Sequence, residues 1–202
     1  MSLETWIAFL IASAAVLAVP GPTLMLVIGQ SLGGGRGRAL PLVAGVALGD
    51  LTALSLSLLG LGALLAASSL AFTVLKWAGA AYLIWLGVRM WRAPAAGPSA
   101  PLPPRRAFRD AYVVTALNPK SIAFFVAFVP QFITAEADFA PQAALLVASF
   151  VSLAAANALL YALLAGRLAG AVSRPATRRA IQRLGGGMLI GAGVATAAMR
   201  RA

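Results

Sequence analysis

Six mostly apolar stretches alternate with short polar or basic segments along the 202 residues. They run from about Thr5 to Ile28, Leu40 to Leu65, Phe72 to Met90, Ala111 to Phe132, Pro141 to Leu164 and Leu184 to Met199. A helix needs roughly 20 apolar residues to cross the hydrocarbon of a bilayer, so the pattern predicts an all-α integral membrane protein of six transmembrane helices. Two stretches are broken. Pro20, Gly21 and Pro22 interrupt an uncharged run from Thr5 to Gly35, and Asn118, Pro119 and Lys120 interrupt the run from Ala111 to Ala135. Proline removes helix hydrogen bonds and glycine admits a tight bend. The freed backbone groups find no partner in lipid. Such breaks are tolerated where they face protein or a polar cavity, and when they recur in two halves they point to a substrate path through a transporter. A freed helix N-terminus at Pro22 or Pro119 can meet a carboxylate; a simple packing kink is the alternative.

The halves read as related. At a constant offset of 106, Gly79, Leu83, Ile84, Gly87 and Val88 of the third stretch recur as Gly185, Leu189, Ile190, Gly193 and Val194 of the sixth. The first and fourth stretches share a proline break, and the second and fifth each hold one polar residue, Asp50 and Asn157. Three helices per half force the repeats into opposite orientations, an arrangement suited to alternating access around a midplane site. The expected plan is therefore one transmembrane domain over residues 1–202. Repeat one covers about 1–92 and repeat two about 107–202, joined by a proline-rich cytoplasmic linker over about 93–106.

Charge sets the expected orientation. Twelve of the sixteen Lys and Arg fall in the first, third and fifth loops. The positive-inside rule places those loops in the cytoplasm and both termini outside. Glu4 and the absence of a basic residue before the first apolar run favour a retained helix over a signal peptide. The formal net charge of +11 reads as topology and anionic-lipid contact rather than nucleic-acid binding. The chain is 61% hydrophobic and 10% charged, against about 25% charged in soluble domains. It has no Cys and no His, and its five acidic residues are scattered. No cofactor or metal is expected, and nothing pairs to activate water or a nucleophile, so an enzyme is not expected.

Asp50 is the sharpest single residue, because it lies in an otherwise uncharged stretch from Ala39 to Leu75. A carboxylate there costs several kcal/mol unless it is paired, hydrated or protonated. It reads as a proton-coupling site, as a site for a substrate ammonium, or as half of an ion pair with Lys120 that fixes helix register. Lys120 either snorkels to the cytoplasmic interface or offers its ammonium to a substrate carboxylate or to Asp50. Asn157 makes an interhelical hydrogen bond or faces the cavity. Gln131 reads as a polar helix end. Gly45, Gly49, Gly79, Gly87, Gly185 and Gly193 read as sites of close helix approach. Gly33 to Gly37 reads as a flexible turn, since no Gly-Lys-Ser/Thr pattern follows.

The pieces Val19-Pro20-Gly21-Pro22, Gly33 to Gly37, Gly45-Val46-Ala47-Leu48-Gly49-Asp50, Lys76 to Leu83, Asn118-Pro119-Lys120 with Phe124-Phe125, and Pro130-Gln131-Phe132 together resemble the LysE/RhtB family of amino-acid exporters. Their order and spacing extend the resemblance over nearly the whole chain. It implies a bacterial inner-membrane secondary transporter that expels amino acids or their derivatives, driven by the proton gradient and acting as a homodimer. It also implies that Asp50, Pro20, Pro22 and Pro119 are functional positions; the set of expected substrate- or proton-binding residues is completed by Gly21, Asn118, Lys120 and Asn157. An exporter of another small solute and a membrane scaffold without transport remain open.

Overall fold

A backbone in hydrocarbon must satisfy its own hydrogen bonds, and the Ala-, Leu- and Val-rich stretches do so by coiling. The computed structural model describes residues 1–18, 21–34, 39–67, 69–92, 103–134 and 136–198. Pro20, Arg36, Gly37, Arg38, Arg200, Arg201 and linker residues 93–102 lie outside them. Among the described residues every regular element is helical: α1 (Leu3–Ala18), α2 (Pro22–Gly34), α3 (Ala39–Ala67), α4 (Ser69–Arg92), α5 (Pro104–Ala116), α6 (Pro119–Ala127), a 3-10 turn (Val129–Phe132), α7 (Phe139–Ser173) and α8 (Pro175–Ala198).

Helix ends depart from the expected spans. The fourth stretch starts at Pro104 rather than Ala111, because proline fits the first helical position, where no N–H is needed. The fifth stretch continues to Ser173 and the sixth starts at Pro175. The basic stretch expected as the fifth loop is therefore mostly helix, broken at Arg174. Arginine is a good helix former, and its long stem lets a helix run on past the apolar boundary. Gly33 and Gly34, expected in a turn, belong to the last turn of α2.

Among the described residues, two stretches, Ala39–Gly60 of α3 and Phe139–Ala165 of α7, are long and apolar enough to cross a bilayer unbroken. Leu3–Ala18 with Pro22–Ser31, bent by 57°, and Pro104–Ala116 with Pro119–Phe132, bent by 41°, qualify as broken spans. Large apolar side chains face outward, among them Leu40, Leu56, Leu59 and Leu160. A soluble surface rarely exposes so many large apolar side chains; a lipid-facing one must.

Packing crosses between the halves. α3 lies against α5, α6 and α7, while α7 lies against α1 and α2. The α3–α5 contact depends on missing side chains. A Cβ on Gly45 would collide with the Phe108 carbonyl oxygen, and one on Gly49 would come within 2.8 Å of the Thr115 Cβ. α4 packs along α8 in the same way: a Cβ on Gly87 would lie 2.5 Å from the Gly186 oxygen, and one on Gly193 would lie 2.7 Å from the Ala80 oxygen. In lipid, such close approach supplies the dispersion contact that burial from water supplies elsewhere. Phe9, Phe124, Phe125, Phe128, Phe132 and Phe150 form a buried aromatic cluster. The Phe125 and Phe150 rings meet edge-on at 4.8 Å.

Candidate functional site

The consequence of each proline follows from helix geometry. A proline at position i has no N–H for the carbonyl at i−4. Pro20 thus deprives Val16 of its helical partner, Pro22 deprives Ala18, and Pro119 deprives Thr115. The structure shows where those carbonyls turn. Lys120 Nζ donates to the Val16 oxygen at 3.2 Å. Tyr161 Oη donates to the Ala18 oxygen at 3.0 Å. Between them, Asn157 Nδ2 donates to the Leu17 oxygen at 3.0 Å. Three successive carbonyls at the C-terminal end of α1 are therefore closed by side chains from α6 and α7. A cation at this end also meets the negative pole of the helix dipole.

The fourth span closes its break locally. The Thr115 oxygen accepts from the Asn118 N–H at 3.0 Å, and the Leu117 N–H donates to the Val113 oxygen. The Asn118 side chain then accepts from the Lys120 N–H at 3.0 Å, capping α6, with Pro119 in its first helical position. Thr23, in the first turn of α2, links the two breaks. Its hydroxyl accepts from Asn118 Nδ2 at 3.2 Å and lies 3.3 Å from the Thr115 hydroxyl.

A cavity of about 30 Å³ sits where the breaks meet. Gly21, Asp50, Asn118, Lys120 and Asn157 all line it, with Thr23, Ser121 and the apolar Val46, Phe150 and Ala154. The structure thus gathers every described expected site residue that carries a polar side chain, together with Gly21. Pro22 begins α2 next to the cavity and Pro119 begins α6. Asp50 is 3% exposed and its Oδ1 has no hydrogen-bond partner. Lys120 is 8% exposed and points inward. Gly21 packs against its ammonium: a Cβ there would lie 3.2 Å from Nζ. Asn157 fills both of its expected roles, since it bonds across helices and lines the cavity. Gln131 folds back on the Ala127 oxygen of its own helix. Among the described residues no group of acidic, His or Cys side chains could hold a metal ion.

Three contributors escaped the reading of the sequence. Tyr161 lies one helical turn after Asn157 on the same face, and the i−4 rule at Pro22 marks a carbonyl in need of such a donor. Thr23 was hidden beside the prolines. Gln142, 4% exposed, holds the backbone of Thr134, Ala137 and Asp138 at the start of α7. A second, open groove of about 810 Å³ lies at the ends of α4 and α8, where Trp91, Arg179, Arg183, Leu184 and Met188 line it.

Broken apolar helices whose ends converge on a buried charged cavity define a membrane translocator. The chain belongs to the LysE type translocator family, whose pattern it matches over residues 14–200. It is 36% identical over 203 residues to the homoserine/homoserine lactone efflux protein of Salmonella typhimurium, covering 98% of each chain. It is 35% identical over 198 residues to an uncharacterized membrane protein of Vibrio cholerae, covering 96% of this chain and 97% of the other. It is 26% identical over 186 residues to the leucine efflux protein of an Enterobacter species, covering 90% of this chain and 87% of the other. No solved structure matches it.

Proposed function

We propose that the protein exports amino acids or amino-acid derivatives across the bacterial inner membrane as a proton-coupled secondary transporter. The observation that carries this reading is Asp50, a buried carboxylate with an unpartnered oxygen, on a cavity walled by both broken spans. Relatives named for homoserine and leucine efflux supply the substrate class. The remaining wall is largely apolar, which favours an uncharged substrate side chain.

In the proposed cycle Asp50 alternates between a proton and the substrate ammonium. The half-helix N-termini at Pro22 and Pro119 offer backbone N–H groups to the carboxylate. Pro20, Gly21, Asn118, Lys120 and Asn157 complete the substrate- and proton-binding set. A cavity of about 30 Å³ has room for one water, whereas small-molecule sites measure about 300 Å³ or more. Loading an amino acid therefore requires the broken helices to part.

The finer architecture belongs to the same proposal: six spans in one domain, as two inverted three-helix repeats over about 1–92 and 107–202. Reciprocal contacts support it. Gly87 meets Gly186 and Ile190, and Gly193 meets Ala80 and Ile84. Adding 106 to one member of each contact and subtracting it from the other converts the first set into the second. A two-fold axis between α4 and α8 has that property. Both termini outside, a homodimer, and anionic-lipid contact at the groove bearing Arg179 and Arg183 complete the reading.

Efflux of labelled homoserine and leucine from dipeptide-loaded cells tests it. Expression of the protein is expected to accelerate efflux of at least one of them, Asp50→Asn to abolish the gain, and collapse of the proton gradient to slow it. Folded, inserted protein that accelerates no amino acid overturns the exporter reading. An Asp50→Asn variant with full, gradient-driven efflux overturns the coupling role.

A further inference from the structure

We propose that Ala154 sets the length of side chain that the transporter accepts, as the recess of an apolar subsite built from the two unbroken spans. This rests on the exporter reading above and names one subsite of the same cavity. Three observations converge. Part of the cavity wall comes from α3 and α7, which lie against each other. α3 contributes Asp50 and, one turn before it, Val46; α7 contributes Phe150, Ala154 and Asn157, which share one face at helical spacing. Both helices run past the cavity without a break, and Val46, Phe150 and Ala154 are buried. The Phe150 ring is held from behind, edge-on to Phe125 at 4.8 Å and 6.0 Å from the Phe124 ring.

The polar chemistry of the cavity leaves one direction for the substrate side chain. An α-amino acid carries its ammonium, carboxylate and side chain on a single carbon. In the proposed cycle Asp50, whose Oδ1 is unpartnered, takes the ammonium, and the half-helix N-termini at Pro22 and Pro119 take the carboxylate. The side chain then turns to the apolar part of the wall. Val16, Leu17 and Leu24 belong to the first span, which is broken and must move for loading. The wall that keeps its shape through loading is the one that α3 and α7 share. Within it Phe150 has no room to recede, because neighbouring rings hold it. Ala154 carries the least side chain of the three, so the depth of the subsite is set there. A substituent added at Ala154 shortens the space, and one removed lengthens it.

A homologous series reads this directly. Purified protein in liposomes under one imposed proton gradient is given labelled alanine, α-aminobutyrate, norvaline or norleucine, whose side chains lengthen by one methylene at a time. A methylene in an apolar pocket changes discrimination by roughly 10- to 200-fold. Ala154→Val is expected to lower the ratio of norleucine to alanine transport about tenfold or more, and Ala154→Gly to raise it about tenfold. Absolute rates are free to fall in both. Val46→Ala, which enlarges the subsite from the opposite helix, is expected to raise the ratio as Ala154→Gly does, and covers the case in which the α7 variants do not fold. Leu146→Ala, on the buried face of α7 but outside the cavity wall, is expected to lower stability without moving the ratio. Rates that change by one factor along the whole series in the Ala154 and Val46 variants would overturn the subsite while leaving the exporter reading intact. So would a Leu146→Ala ratio shifted as far as that of Ala154→Gly, since a loosened core would then explain both. Wild-type protein that moves homoserine but no member of the series would also overturn the subsite alone. Wild-type protein that moves none of the series, homoserine or leucine would overturn both.

Discussion

The two broken spans solve one problem in opposite ways. In the fourth span, Pro119 orphans the Thr115 oxygen, and the backbone three residues on repairs it, while Asn118 caps the helix that follows. The repair lies within a few residues of the break. In the first span, the carbonyls of Val16, Leu17 and Ala18 accept from side chains over a hundred residues away: Lys120, Asn157 and Tyr161. The fourth span therefore has a joint defined by its own sequence, and the first has one that exists only while α6 and α7 stay in place. Any motion that parts α1 from α6 and α7 uncaps those carbonyls. A pair of breaks with one self-sufficient and one dependent end suits a carrier that must both hold a site and open it.

The largest test of this contrast falls on the helix that holds the fourth-span joint in place. Gly45→Leu drives a side chain into the Phe108 carbonyl, a rigid obstacle, and overpacking of this kind costs about 1–3 kcal/mol or more. A loss of folded protein in detergent, read by thermal unfolding, is expected; wild-type stability would mean that α5 is not seated on α3 by the glycine face. Next comes Asn118→Ala, which removes the cap of α6 and the donor to Thr23. A loss of about 0.5–2 kcal/mol is expected, with faster amide exchange at Lys120 and Ser121. Exchange there at the wild-type rate would show that the fourth-span joint does not depend on its cap. The smallest effect is expected from Asn157→Leu, which leaves the Leu17 oxygen without its donor at a cost of about 0.6 kcal/mol, a typical interhelical bond in a membrane. Hydrogen exchange should rise in α1 and the first turn of α2 and stay unchanged around Asn118. If both breaks loosen together, they form one cooperative joint and the contrast fails.

Much of this was legible in the residues. The apolar stretches, the two proline breaks, the lone Asp50 and the glycine pairs all follow from the chemistry of single positions in lipid. The expected sites of close approach at Gly45, Gly49, Gly87 and Gly193 hold backbone against backbone, because no other residue type permits it. Less legible were the helix ends near Arg167 to Arg183, where charge marks the edge of hydrocarbon but does not end a helix. Lys120 was readable as either a snorkelling or an inward residue. Its position a third of the way into an apolar stretch allows both, and a side chain with four rotatable bonds takes its direction from its neighbours.

The sequence by itself determined that the chain is helical, that it belongs in a membrane, and where its backbone must be left with open hydrogen bonds. Each of these depends on the intrinsic chemistry of one residue or one local period: a proline without an N–H, a glycine without a Cβ, twenty apolar residues in a row. Only the tertiary structure decided which distant groups would answer. That Lys120, Asn157 and Tyr161 converge on three adjacent carbonyls, and that Asp50 faces the same cavity, depends on how α1, α3, α6 and α7 pack. Helix packing in lipid is fixed by the fit of small surfaces over the whole bundle, which no local stretch of residues encodes.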